Sequence, residues 1–330
     1  MRVLLDTNVW RYIVDAGFEN RLFQVTRRSN FSISIAPAII VETLRMSDVQ
    51  TRRKIIELQT RECWNRLMPD AFLQCEDVKR EMMRTHPEWA LKSKNITLFR
   101  KLRYDWVRSK GGFWERVRNN PEKIAEQYKR QDSAALSQVR EQSREVRSKV
   151  SETGLKLLNT SNLGEWMGSW RNPISGEEVI ADAWRVYAET IWGNMLSQDT
   201  VFKQWLECEL DIKFLLSYGA LDFVRFWQYE IRLQDVQREW IRASFYGMQS
   251  ERRVTDGNPT DSAIATHAVD VDLIASADKN FIAMLNRLQD EAPFKTAHGI
   301  LVQAGKSGVE EFLNLLSDSN TFTLSSNTRH

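Results

Sequence analysis

The sequence predicts an α/β fold, a parallel sheet flanked by helices and interrupted by a large all-helical insertion. Two strand-like runs open the chain, Val3-Leu4-Leu5 and Phe31-Ser32-Ile33-Ser34-Ile35, and each leads into helix-forming sequence. The same rhythm returns late, at Leu273-Ile274-Ala275-Ser276 and near Gly299 to Val302. From Asp48 to Met248, long stretches rich in Glu, Gln, Arg, Leu and Trp contain no run that reads as a strand. The expected boundaries are therefore a first core segment at 1–47, a helical insertion at 48–250, some of whose helices belong to the core, a second core segment at 251–316 and a flexible tail at 317–330.

Element by element, Val3-Leu4-Leu5 is a buried strand and the stretch Val9 to Phe23 is a helix. The period-two alternation from Phe31 ends at Pro37, which permits a helix from about Ala38 that carries Glu42. Within the insertion, Phe202, Leu206, Leu210 and Phe214, and then Phe223, Trp227 and Ile231, recur at helical spacing and read as core faces. Ile124, Tyr128, Ala135, Val139, Val146 and Val150 form a thin heptad seam, which would lean on another insertion helix or on a second copy of the chain. Trp166, Trp170, Trp184 and Trp192 read as a local helical core. Gly257 to Thr260 is a turn, Asp261 to Ala268 a helix, and Asp278 ends the strand that begins at Leu273.

Composition narrows the class. With 330 residues, 42% apolar and 27% charged, the chain can bury a sizeable core, and its 12 Trp need one. The net charge of +2 gives no global sign of nucleic-acid binding, so such a signal must be local. Three cysteines, Cys63, Cys75 and Cys208, without a C-x-x-C pair, argue against a disulfide framework or a zinc module. Asp6 interrupts the first apolar run before it reaches signal-peptide length, and no uncharged run is long enough to span a membrane. The expected location is the cytoplasm, with no membrane partner.

In a parallel sheet the ends that carry Asp6, Glu42, Asp261 and Asp278 gather at one edge. Each acid alone has an ordinary reading, as a helix cap, a solvated helix position, a dipole partner or a turn residue. Four carboxylates in one cleft repel one another and need protons or divalent cations. Oxygen-only ligation favours Mg²⁺ or Mn²⁺, which suits hydrolytic phosphoryl transfer.

Three motifs give this pattern a family likeness. Val3-Leu4-Leu5-Asp6-Thr7-Asn8-Val9-Trp10, Ala36-Pro37-Ala38-Ile39-Ile40-Val41-Glu42-Thr43-Leu44, and Asn258-Pro259-Thr260-Asp261-Ser262-Ala263-Ile264-Ala265 with Ile274-Ala275-Ser276-Ala277-Asp278-Lys279-Asn280-Phe281, resemble the successive motifs of PIN-domain nucleases. The resemblance covers roughly residues 1–45 and 257–302. It implies a PIN fold and a metal-dependent endonuclease acting most often on RNA, with Asp6, Glu42, Asp261 and Asp278 as metal-binding catalytic acids. Thr7 and Asn8 become accessory polar residues. Asn280 stands where many relatives carry a further acid, so the fourth position rests on Asp278. Toxin–antitoxin systems, defence and RNA processing are the roles that the resemblance brings with it, and a neutralising protein partner would dock on the insertion. The alternatives are a structure-specific DNA nuclease and a catalytically weak PIN-like scaffold that binds nucleic acid or a partner.

Within the insertion, residues 100–149 hold 14 Lys or Arg against seven acids, with Tyr104, Trp106, Phe113, Trp114 and Tyr128 interleaved. That mixture suits phosphate neutralisation and base stacking, and it also suits a solvated helix with intrahelical ion pairs. Arg103, Arg108, Lys110, Arg116 and Arg118 are the candidate nucleic-acid contacts. His86, His267, His298 and His330 are scattered and take no catalytic role, and His267 is expected to pack on the helix of Asp261.

Overall fold

The computed structural model describes residues 1–29, 31–108, 110–128, 167–171, 178–217, 219–250 and 258–318. The heptad seam beyond Tyr128, Trp166, His330 and the tail from residue 319 lie outside the described residues.

Five parallel strands form the central sheet: β1 (Arg2–Leu5), β2 (Ser32–Ile35), β3 (Asn65–Arg66), β6 (Leu273–Ser276) and β7 (His298–Leu301), in the order β3-β2-β1-β6-β7. The predicted α/β class and parallel sheet are therefore present. Leu4 pairs with Ser34 on one side and Ile274 on the other, so β1 is central and its apolar residues are fully buried. Strand order runs outward in both directions from β1, which opens a crevice beyond the carboxyl ends of β1 and β6.

The helices are α1 (Thr7–Asp15), α2 (Glu19–Arg28), α3 (Pro37–Leu44), α4 (Val49–Gln59), α5 (Asp70–Thr85), α6 (Ile96–Val107), α7 (Phe113–Asn119) and α8 (121–128). They continue with α9 (Ala183–Ser197), α10 (Val201–Leu206), α11 (Ile212–Ser217), α12 (Ala220–Arg225), α13 (Gln237–Ser250), α14 (Asn258–Ala265), α15 (Lys279–Glu291) and α16 (Lys306–Ser317). The single helix expected over Val9 to Phe23 is two, because Gly17 takes a left-handed φ of 69° and turns the chain between α1 and α2.

The stretch from 48 to 250 is not all helical. It supplies β3, the edge of the central sheet, and a separate antiparallel pair, β4 (Met167–Arg171) with β5 (Glu178–Asp182). Trp170 therefore lies in a strand, while Trp184 and Trp192 are buried on α9. The stripe through Phe202, Leu206, Leu210 and Phe214 is split by the turn between α10 and α11. Leu206 and Leu210 are buried, whereas Phe214 is 39% exposed. Phe223, Trp227 and Ile231 are all buried across α12 and the π-helical turn Phe226–Glu230.

A continuous apolar cluster joins the sheet to these helices. Trp10, Trp89, Trp114, Trp192 and Trp227 are fully buried in it, which accounts for much of the Trp content. Helix α4 lies on α1 and α3, and α13 lies on α14 and α15, so segments far from the motif-bearing residues in sequence close the core around the sheet. Polar ties cross the same junction. Arg238 on α13 reaches Asp77 on α5 at 2.6 Å. Burial pushes the Glu81 carboxyl up, yet hydrogen bonds from Arg84 and Arg232 outweigh it and hold the group at about 2.

Excision of residues 47–252 with a short linker removes β3, α4 and α13 together, so the remainder should lose its cooperative thermal transition. Circular dichroism melts with and without Mn²⁺ check this, and a sharp transition in the excised protein refutes the single-core description.

Candidate functional site

Asp6 leaves β1 and caps α1. Its Oδ1 accepts from the Thr7 backbone N–H at 2.7 Å, and its Oδ2 accepts from Asn8 Nδ2 at 2.8 Å and from the Ser276 hydroxyl at 2.6 Å. Asn8 joins the two strand ends, because its Oδ1 accepts from the Ala277 backbone N–H at 2.8 Å while its amide nitrogen serves Asp6 and Ser276. Asp278 follows β6 and caps α15, with Oδ1 accepting from the backbone N–H groups of Asn280 and Phe281 at 2.7 and 3.1 Å. The capping reading of these two acids is thus real geometry, and each still carries oxygen lone pairs beyond its cap.

Glu42 lies on α3, which begins at Pro37 immediately after β2, and its Oε2 accepts from the Thr7 hydroxyl at 2.5 Å. Asp261 lies on α14. No described residue donates a hydrogen bond to its carboxylate, although it is half-buried. Arg45, at the end of α3, donates to the Thr260 hydroxyl at 3.0 Å and ties the helix of Glu42 to the helix of Asp261.

The four acids share one electrostatic neighbourhood. Burial raises Asp6, and Asp278 adds to the rise. Burial and then Asp6 push Glu42 up to about 7. Burial followed by Asp6, Glu42 and Asp278 pushes Asp261 up to about 8. All four predicted acids are therefore brought together at the carboxyl edge of the sheet, where burial first and neighbouring carboxylates second raise Asp6, Glu42 and Asp261.

The donor set fits a hard divalent ion: it is oxygen-only, acidic and short of neutralising partners at Asp261. Among the described residues, no three Asp, Glu, His or Cys side chains close tightly enough on one point to hold an ion as they stand. The two observations are compatible, because charge repulsion acts over several ångströms whereas coordination needs oxygens at roughly 2 Å.

The five basic candidates divide. Arg116 pairs with Asp105 at 2.7 Å, Arg108 bonds the Gly111 carbonyl and lies 3.6 Å from Asp105, and Arg118 bonds Thr60. Arg103 and Lys110 are exposed and have no partner among the described residues. Phe113 and Trp114 are core residues, while Tyr104 is 61% exposed beside Arg100, Lys101 and Arg103 on α6. Asn280 contributes its backbone N–H to the Asp278 cap and is otherwise exposed.

His267 is buried, with Nδ1 2.9 Å from Asp270 in the turn that follows α14, in keeping with a packing role. His86 lies between Glu88 and Glu230, and His298 beside Gln289. Sequence reasoning missed Ser276, Thr260 and Arg45 as site residues. Ser276 ends an apolar strand and Arg45 lies three residues past Glu42, so only the pairing of the strands and helices singles them out.

No protein-family profile, curated protein or solved structure matches the chain.

An acid with a raised folded-state pKa holds its proton more tightly folded than unfolded, so it favours folding at low pH. Its contribution is lost as pH rises from the unfolded values of 3.8 and 4.5 to the folded values of about 8 for Asp261 and about 7 for Glu42. In EDTA the protein should melt at a lower temperature near pH 8 than near pH 5.5, the loss of stability being on the order of a few kcal/mol. Asp261→Asn should flatten that slope, and an equal slope in variant and wild type refutes the electrostatic account.

Proposed function

We propose that this protein is a metal-dependent endoribonuclease whose Asp6, Glu42, Asp261 and Asp278 hold Mg²⁺ or Mn²⁺ at the crevice beyond β1 and β6. The observation that carries the reading is Asp261, a half-buried carboxylate with no donor among the described residues, pushed up to about 8 by burial and three neighbouring acids. A divalent ion relieves that repulsion. Bound there, it supplies Lewis-acid activation of water and of a phosphodiester oxygen.

The chain's own residues do the positioning. Thr7 holds Glu42 through one oxygen and leaves Oε1 for the ion or for the attacking water. Asn8 and Ser276 fix Asp6 Oδ2, so the carboxylate at the centre of the cleft keeps one orientation. Arg45 adds positive charge beside Glu42 and is suitably placed to meet the phosphate backbone, which four acids alone would repel. On α6, Arg100, Lys101 and Arg103 present charge with no ion-pair partner among the described residues around an exposed tyrosine, a combination suited to single-stranded RNA.

A scaffold with a disused site is the second reading, favoured by the absence of a preformed three-ligand convergence among the described residues. Purified protein with labelled single-stranded RNA and DNA separates the readings. Cleavage of RNA should require Mg²⁺ or Mn²⁺, stop with EDTA and return with excess Mn²⁺. Asp6→Asn and Asp261→Asn should each lower cleavage by at least about 100-fold with melting temperature kept or raised. Full activity in either variant removes that acid from the catalytic set, and cleavage of DNA alone assigns the substrate differently.

A further inference from the structure

Arg66 and Arg118 meet with no carboxylate in ion-pair contact among the described residues, although Glu62 acts on Arg66 from further away. Arg66 ends the edge strand β3 opposite Ile35, one residue beyond the cross-strand row of Asn65, Ser34, Leu4 and Ile274. Arg118 lies on α7. Both donate to the carbonyl of Thr60, the fully buried residue that ends α4: Arg66 Nη2 from 3.3 Å, and Arg118 through its Nη2. Arg118 Nε also donates to the Thr60 hydroxyl at 3.0 Å, and the Arg66 guanidinium lies 5.2 Å from the centre of the Trp114 ring.

Three nearby arginines are paired. Arg53 holds Glu122 at 2.7 Å, Arg52 lies 3.7 Å from the same carboxylate, and Arg116 holds Asp105. Neither Arg66 nor Arg118 has an ion-pair partner among the described residues. A helix C-terminus attracts one cation to its open carbonyls. It does not explain two guanidiniums on one carbonyl, because each has five N–H donors and the three bonds described above engage few of them. Burial and then Arg118 push the Arg66 pKa down against the opposing pull of the exposed Glu62, so the pair is held at a cost that an anion would remove.

We propose that Arg66 and Arg118 form an oxyanion subsite that takes a backbone phosphate of the bound nucleic-acid strand. Two planar forks on one side of a carbonyl match the several oxygens of a phosphate diester better than a single ammonium does. Arg66 lies one residue past the row that runs through Leu4, just as Leu5 and Asp6 follow Leu4 on β1, and the two strands lie two spacings apart, about 10 Å. A strand engaged at the acids therefore has the subsite within short reach. The inference rests on the nuclease reading for the identity of the strand, while the subsite itself is read from binding alone.

The test is binding of a fluorescein-labelled single-stranded oligoribonucleotide in EDTA, where no cleavage intervenes, across a range of NaCl concentrations. The variant Arg66→Gln with Arg118→Gln should bind more weakly and lower the log-log salt slope by about 0.7, the amount for one phosphate contact on a single strand. Inorganic phosphate should compete with the oligonucleotide on the wild type and less on the variant. A folded variant with unchanged affinity, slope and phosphate competition shows that the pair only caps α4, and overturns the proposal. Where the double variant does not fold, the wild type and Arg118→Lys decide. At constant ionic strength inorganic phosphate should raise the wild-type melting temperature more than that of the variant, and equal shifts overturn the proposal. Cleavage with Mn²⁺ is scored apart. A wild type that binds with the expected slope difference but cuts nothing refutes the nuclease reading and upholds the subsite, whereas cleavage with no slope difference refutes the subsite alone.

Discussion

The parallel pairing of β1 with β6 is the constraint from which the site follows. Parallel neighbours end at the same edge, so Asp6 and Ser276 meet across 270 positions of sequence and hydrogen-bond at 2.6 Å. Asn8 locks the two ends, since it bonds Asp6, Ser276 and the Ala277 backbone at once. Closing so long a span costs little more entropy than closing one half its length, because the cost grows only with the logarithm of loop length. The intervening chain can therefore grow large while the cleft stays fixed. What limits its independence is packing: α4 and α13 cover the helices that carry Glu42 and Asp261.

That packing holds like charges together. Asp6 and Glu42 are joined by Thr7, which accommodates one carboxylate by a hydrogen bond and leaves the other tied to Asn8 and Ser276. The fold thus fixes a group of acids that would separate in water, at a cost in stability. The edge strand shows the opposite sign of the same arrangement, two guanidiniums gathered on the Thr60 carbonyl. On the function proposed above, the cleft would hold a cation and the flank an anion, which suits a substrate whose backbone carries the anions.

Much of this was legible in the sequence, and the exceptions have physical reasons. The strands β1, β2 and β6 are apolar or alternating because each buries at least one face, and the acids follow them at strand ends or on the next helix. Strand β3 has two residues, Asn65 and Arg66, both polar and on an edge, so no periodicity announces it. Gly17 carries the turn between α1 and α2, but one glycine inside an amphipathic run does not reveal its left-handed φ. Ser276 donates to Asp6 and accepts from Asn8 only because β1 and β6 are neighbours, a fact of pairing that residue type cannot express.

Local charge illustrates the same limit more sharply. The basic stretch of α6 and α7 counts Arg103, Arg108, Lys110, Arg116 and Arg118 alike, but folding sorts them by partner. Arg116 is neutralised by Asp105, and Arg108 is occupied by the loop at Gly111. Arg103 keeps its charge in solvent with Arg100 and Lys101, around Tyr104. Arg118 keeps its charge half-buried, next to a second guanidinium that lies far from it in sequence. A polyanion responds to the charge that remains after internal pairing, not to the number of arginines. On the proposed reading, the exposed set on α6 would attract a strand at long range, and the fixed pair at Thr60 would give one of its phosphates a definite position.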